Sequence, residues 1–136
     1  MSDPELARIL DEKAKRLVAG AKMQATDGIV KMTRTNFDGY INGDKPVFVD
    51  FWAAWCGPCR TMEPVVARLA AKHSGDGIFG KLNVDEESEI ATRYDVQSIP
   101  TFMIFRKGQP IEATIGAVGE PALERLIQKS GSSIYR

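Results

Sequence analysis

The chain has 136 residues, 43% of them hydrophobic, and its eighteen Lys and Arg balance eighteen Asp and Glu. One domain of that length hides about two thirds of its unfolded surface and does not depend on a disulfide to fold. With no basic field for nucleic acid and no acidic tail for a basic partner, recognition is expected to be local and mostly apolar.

Residues 1–30 hold no apolar run long enough for a signal-peptide core, and they carry Asp3, Glu5, Asp11 and Glu12, which a transit peptide avoids. Nothing further along approaches the roughly 20 apolar residues of a membrane span. The expected address is the cytoplasm, where a paired cysteine is more often catalytic or metal-binding than structural.

Ser2 to Glu5 reads as a helix start, with Ser2 as cap and Glu5 completing a capping box. Leu6, Leu10, Ala14, Leu17 and Ala21 then line one helical face, a thin stripe rich in alanine. Gly20 and the polar stretch 24–28 break the pattern, which sets a boundary near Asp27. Residues 1–26 are therefore expected to form a helical extension and residues 27–136 a separate domain.

Short apolar runs follow, alternating with helical ones. The texture predicts a strand over 29–33, a short helix over 36–41 and a strand over 46–53 whose continuous apolar run suits burial on both faces. From Pro58 to Lys72 the apolar residues Met62, Val65, Val66, Leu69 and Ala70 recur at helical spacing, with Pro64 expected to kink the helix. A second buried strand is predicted over 78–85 and a helix over 87–94. Strands over 101–105 and 111–116 flank a Gly-containing reversal. A closing helix over 120–129 has Pro121 in its first turn and Gly131 beyond its end, leaving residues 132–136 frayed. This order implies parallel strands crossed by helices, ending in an antiparallel hairpin: an α/β sandwich around a mixed sheet.

Cys56 and Cys59 are the only two cysteines, and they enclose Gly57 and Pro58. They could be a staple, a metal clip or a reactive couple. Zinc wants four ligands, and the chain offers these two thiols and a single histidine, His73. Haem attachment needs a histidine where Arg60 stands, and an iron–sulfur cluster needs about four thiolates. No metal site and no bound cofactor is expected. A staple across so small a loop constrains the unfolded chain little.

A cycling dithiol requires a nucleophile ionised near neutral pH, a nearby second thiol and a path for protons. An ordinary thiol with pKa near 8.5 is only about 3% ionised at pH 7. A helix starting at Cys56 would stabilise its thiolate through free N–H groups and the helix dipole. The three-residue spacing brings Cys59 onto the same face, and Pro58 in the first turn costs little. Asp50 is an acid inside an apolar strand, so it is expected to be partly protonated or well partnered.

The motifs VDFWAAWCGPC, KLNVD, SIPTFMIF and IGAVG, in that order, resemble the thioredoxin family, from about Ile29 to Lys129. The resemblance implies a thioredoxin fold, with a central five-stranded mixed sheet flanked by helices, to which residues 1–26 add an N-terminal helix. It implies a general protein-disulfide reductase that passes through a mixed disulfide. Cys56 would be the exposed attacking thiolate and Cys59 the buried resolving thiol. Asp50 would accept the Cys59 proton through water, with Lys81 as its partner, although Asp50 could be a satisfied structural acid and Lys81 a strand lysine reaching solvent.

Bare X-Pro statistics favour a trans Ile99–Pro100 bond; the resemblance implies a cis one facing the cysteines. Trp55, Gly57, Pro58, Ile99, Pro100, Gly116 and Ala117 would form the surface that takes an extended target peptide. Trp52 is expected in the core, Trp55 in solvent, and His73 on the surface at a helix C-terminus. The expected partners are disulfide-containing proteins and a thioredoxin reductase as electron donor, with the chain a monomer. The alternatives are a thioredoxin-fold interaction subunit with bystander cysteines, or an oxidase or isomerase, which Pro58 disfavours because related oxidising domains usually have histidine there. Two departures stand out: the family commonly has an acid at Ala54, and most members lack residues 1–26, which could pack on the domain, dock a partner or move freely.

Overall fold

The structure, a computed structural model, describes residues 28–134, with side chains through Ser130. The expected helix within residues 1–26, the boundary near Asp27 and residues 135–136 lie outside the described residues. Among the described residues the order is β1 (Ile29–Lys31), α1 (Phe37–Ile41), β2 (Val47–Trp52), α2 (Gly57–Lys72), β3 (Ile78–Asn83), α3 (Ser88–Arg93), β4 (Thr101–Arg106), β5 (Gln109–Ile115) and α4 (Glu120–Ile134). The strands form one five-stranded mixed sheet in the order β1-β3-β2-β4-β5.

Central β2 is parallel to β3 and antiparallel to β4. Its near-continuous apolar run follows from that position, since helices cover both faces. Phe48 faces a core built with Met62, Val66 and Leu69 of α2 and Leu123, Leu126 and Ile127 of α4. Val47, Val49 and Phe51 face the opposite core, with Phe37 and Ile41 of α1 and Ile90 of α3. The period of two along a strand assigns Asp50 to the same side as Phe48, beneath α2. In register, Asp50 stands opposite Lys81 on β3 and Phe102 on β4.

Helix α2 runs through Pro64 as one element. Pro64 lacks an N–H, so the Arg60 carbonyl has no helical partner there. Buried Cys59, Met62, Val66, Leu69 and Ala70 hold the helix to the sheet from its first turn onward. The turn between β4 and β5 consists of Lys107 and Gly108, both with positive φ (54° and 81°), the geometry of a two-residue hairpin.

Several boundaries differ from the expected ones. Strand β3 ends at Asn83 because the Asn83 Oδ1 accepts the N–H groups of Asp85 and Glu86, which turns the chain. Strand β5 starts at Gln109, before the expected position 111; an edge strand tolerates Pro110, and a register irregularity lies opposite it at Ile104/Phe105. Helix α4 does not stop before Gly131 but continues to Ile134. A glycine inside a helix costs only about 1 kcal/mol and terminates it only when it turns left-handed.

Candidate active site

The end of β2 delivers residues 53–56 to the start of α2. Cys56 has an extended backbone (φ −91°, ψ 110°) and is the N-cap of α2, with Gly57 and Pro58 next in the first turn. Its Sγ accepts the Cys59 N–H at 3.1 Å, which satisfies one of the otherwise unpaired donors at the helix start. The Cys56 N–H donates to the Ala53 carbonyl, and the Arg60 N–H donates to the Cys56 carbonyl. The cysteines are joined as a disulfide with Cα atoms 5.3 Å apart.

The pair is less accessible than expected. Cys59 is 1% exposed, but Cys56 is only 3% exposed, so in this oxidised form the sulfur expected to attack is not an exposed group. The cause is the packing of Ala53 with the two cysteines and of Trp52, Val84 and Ile99 against that cluster. Cys56 Sγ lies 3.9 Å from the Ile99 carbonyl oxygen. The Ile99–Pro100 peptide is cis, against the bare X-Pro odds and in line with the resemblance. Pro100 itself is buried, and its carbonyl accepts the Gly116 N–H at 2.8 Å. That bond ties the loop holding Ile99 to Gly116, whose φ of 102° suits glycine.

Around this centre Trp55, Gly57, Pro58 and Ala117 are exposed, while Ile99 and Gly116 are half-buried. Trp55 is 68% exposed, yet its indole Nε1–H donates to Asp85 Oδ2 at 2.9 Å, which fixes the ring at the rim. Trp52 is half-buried, packed on the cysteine cluster as expected of a core residue. Sequence reasoning misses two neighbours here. Asp85 reads only as part of a strand and helix start. Ile115, 63% exposed beside Gly116, reads only as a strand residue, although a large apolar side chain on an edge strand is a signal for contact.

Two residues before Trp52 on β2, Asp50 is 4% exposed, and its Oδ1 has no hydrogen-bond partner among the described residues. Loss of hydration pushes its pKa from 3.8 up to about 7; the Lys81 ammonium pulls it down and the Glu63 carboxylate adds to the rise. The Lys81 Nζ sits 4.4 Å from the centre of the Trp52 ring. Lys81 acts on Asp50 by its field while its ammonium rests on an aromatic face. Asp50, Lys81 and Glu63 line one cleft of about 120 Å³.

His73 is the C-cap of α2, as its position implied, and it is half-buried rather than open to solvent. Its side chain is 11% exposed, with Nδ1 2.8 Å from Asp76 Oδ2 and Nε2 2.8 Å from Glu124 Oε2. It ties the end of α2 to α4, far from the cysteines. Among the described residues no group of His, Cys, Asp and Glu could hold a metal ion, and no helix is long and apolar enough to cross a membrane.

The family model described as Thioredoxin matches residues 28–129. A thioredoxin of Alicyclobacillus acidocaldarius is 47% identical over 93 residues, covering 68% of this chain and 89% of that protein. Thioredoxin 1 of a Nostoc strain is 40% identical over 109 residues, covering 80% of this chain and 96% of that one. Among solved structures, a mutant thioredoxin from Halobacterium salinarum superposes with a TM-score of 0.70 at 36% identity, covering 76% of this chain and 90% of that chain. The sulfur pair at the head of α2, the mixed sheet behind it and these likenesses agree: the chain belongs to the thioredoxin family and is a dithiol protein-disulfide reductase, drawing electrons from a reductase and passing them to disulfide-containing targets.

Proposed function

We propose that Cys56 is the attacking thiolate of this reductase and Cys59 its resolving thiol. The observation that carries the reading is the position of Cys56 Sγ at the N-cap of a 16-residue helix, accepting the Cys59 N–H, which favours thiolate over thiol. The Cys56 thiolate attacks one sulfur of the target disulfide, and the other target sulfur leaves as a thiolate. Asp50, with a proton affinity near neutrality, takes the Cys59 proton through water. Cys59 Sγ then attacks Cys56 Sγ, the remaining target sulfur leaves with the bonding pair, and the 56–59 disulfide closes. Lys81 keeps part of the Asp50 population ionised and so able to accept.

Trp55, Gly57, Pro58, Ile99, Pro100, Gly116 and Ala117 form the target groove in this reading. The Ile99 carbonyl is the backbone acceptor for an extended peptide, and Ile115 widens the apolar rim. The targets are general rather than a single protein, because the rim offers an aromatic ring, small residues and backbone rather than a charged code. The donor is a thioredoxin reductase, and the protein acts as a cytoplasmic monomer through a domain of residues 27–136, with residues 1–26 as an appendage. Cys59→Ser is expected to arrest with a model protein disulfide bound through residue 56, visible as a non-reducing gel adduct that Cys56→Ser does not form. An adduct through residue 59 in Cys56→Ser would overturn the assignment.

A further inference from the structure

If Asp50 is the base for Cys59, the part of it that is protonated near neutral pH has to lose its proton to solvent before it can accept one, and Asp50 itself is nearly sealed. The cleft of about 120 Å³ that reaches it is lined by Ile29, Asp50, Glu63, Val66, Ala67 and Lys81. A cavity needs only about 10–15 Å³ to hold a water, so this one has room for several, and water there would satisfy the unpartnered Asp50 Oδ1. Of the lining side chains, Ile29, Val66 and Ala67 cannot carry a proton. Lys81 is an ammonium with no acceptor atom, drawn to the Trp52 ring. Glu63 is the one remaining acceptor, exposed on α2 four residues after Cys59, on the same helical face. Among the described residues, the charged groups facing Asp50 are thus Lys81 from β3 and Glu63 from α2, and its β4 neighbour Phe102 adds none.

We propose that Glu63 is the proton-exchange residue of this site, a positioning residue whose carboxylate takes the Asp50 proton across the cleft water and releases it to bulk solvent. The inference rests on the reading of Asp50 as the base for Cys59. No bond to sulfur changes in this step: one proton moves from the Asp50 carboxyl to the Glu63 carboxylate and then to solvent, restoring both carboxylates.

The test is stopped-flow fluorescence of the Cys59 step near pH 7 in weak buffer, with increasing imidazole as a small diffusible proton carrier. Glu63→Gln is expected to slow the step about tenfold, to recover as imidazole rises, and to be rescued by Glu63→Asp. Asp50→Asn is expected to be slow at every imidazole concentration. Glu63 is exposed and Gln is an equally good helix former, so urea denaturation should show Glu63→Gln and Glu63→Asp as folded as the parent. Glu63→Gln at the parent rate, or slowed without any response to imidazole, overturns the proposal while leaving a slow Asp50→Asn intact. Asp50→Asn at the parent rate overturns the reading beneath it as well.

Discussion

Replacing Asp50 by asparagine should stabilise the fold by an amount that grows with pH. Burial pushes the Asp50 pKa from 3.8 to about 7, against the pull of Lys81. Each unit is worth about 1.4 kcal/mol, so ionising Asp50 in the folded protein costs about 4 kcal/mol more than in the unfolded chain. Between the two values the folded protein holds a proton that the unfolded chain has released. Stability therefore falls as pH rises from about 4 and levels off above about 7. An asparagine at this position does not titrate, so below about pH 4 the two proteins should differ only by a fixed offset from the changed side chain. Above about pH 8 the variant should gain about 4 kcal/mol on top of that offset. Urea denaturation of the two oxidised proteins across this range measures the difference directly, and shared titrations elsewhere cancel in it. A difference that stays flat with pH would refute the argument, because it would mean that Asp50 ionises equally easily in both states.

Three further outcomes follow from other parts of the structure. Trp55→Ala should raise KM for protein disulfides several-fold with little loss of stability, because the ring is mostly exposed and bonded only at its edge to Asp85; steady-state reduction with urea melts of both proteins checks it. Burial raises the Glu124 pKa, but contacts with His73 and Lys72 outweigh it and hold the carboxyl below its usual range. Glu124→Gln should then destabilise at neutral pH, and the deficit should shrink as pH falls from the unfolded carboxylate value through the lowered folded one, as acid-range denaturation would reveal. Leu69→Ala, at a fully buried position between α2 and the sheet, should cost about 2–5 kcal/mol in chemical denaturation without altering the chemistry of Cys56.

The succession of strands and helices along the chain, the helix starting at the cysteines and the apolar β2 run are all readable from the sequence, because each depends on local pattern. The acid at position 50 is also legible, since a carboxylate inside an apolar run has to be explained by burial. What escapes a sequence reading is contact between distant segments. Trp55 and Asp85 lie thirty residues apart and meet only because parallel β2 and β3 end together. His73 looks like a solvent residue because nothing in residues 120–129 announces that Glu124 closes over it. Cys56 is expected in the open, but exposure depends on which residues other strands and loops bring near, and here Val84 and Ile99 do so. Glu63 reads as one more charge on an amphipathic helix until β2 puts Asp50 beneath it.

Phe48, Asp50 and Trp52 occupy successive positions on one side of β2, so a single strand runs from deep core, through a reluctant acid, to the ring that borders the disulfide. A protein selected only for stability would not keep a carboxylate at the middle position, where it weakens the fold by about 4 kcal/mol once ionised. The same burial makes that group useful: an exposed aspartate near pKa 3.9 would be too weak a base for a thiol, whereas one near neutrality can both take and return a proton. The two effects have one cause and cannot be separated by moving the acid outward. Any change that rehydrates Asp50, such as widening the cleft between α2 and β3, should therefore flatten the pH dependence of stability and slow the Cys59 step together. Changes at Trp55 or Ile115 should move target affinity alone.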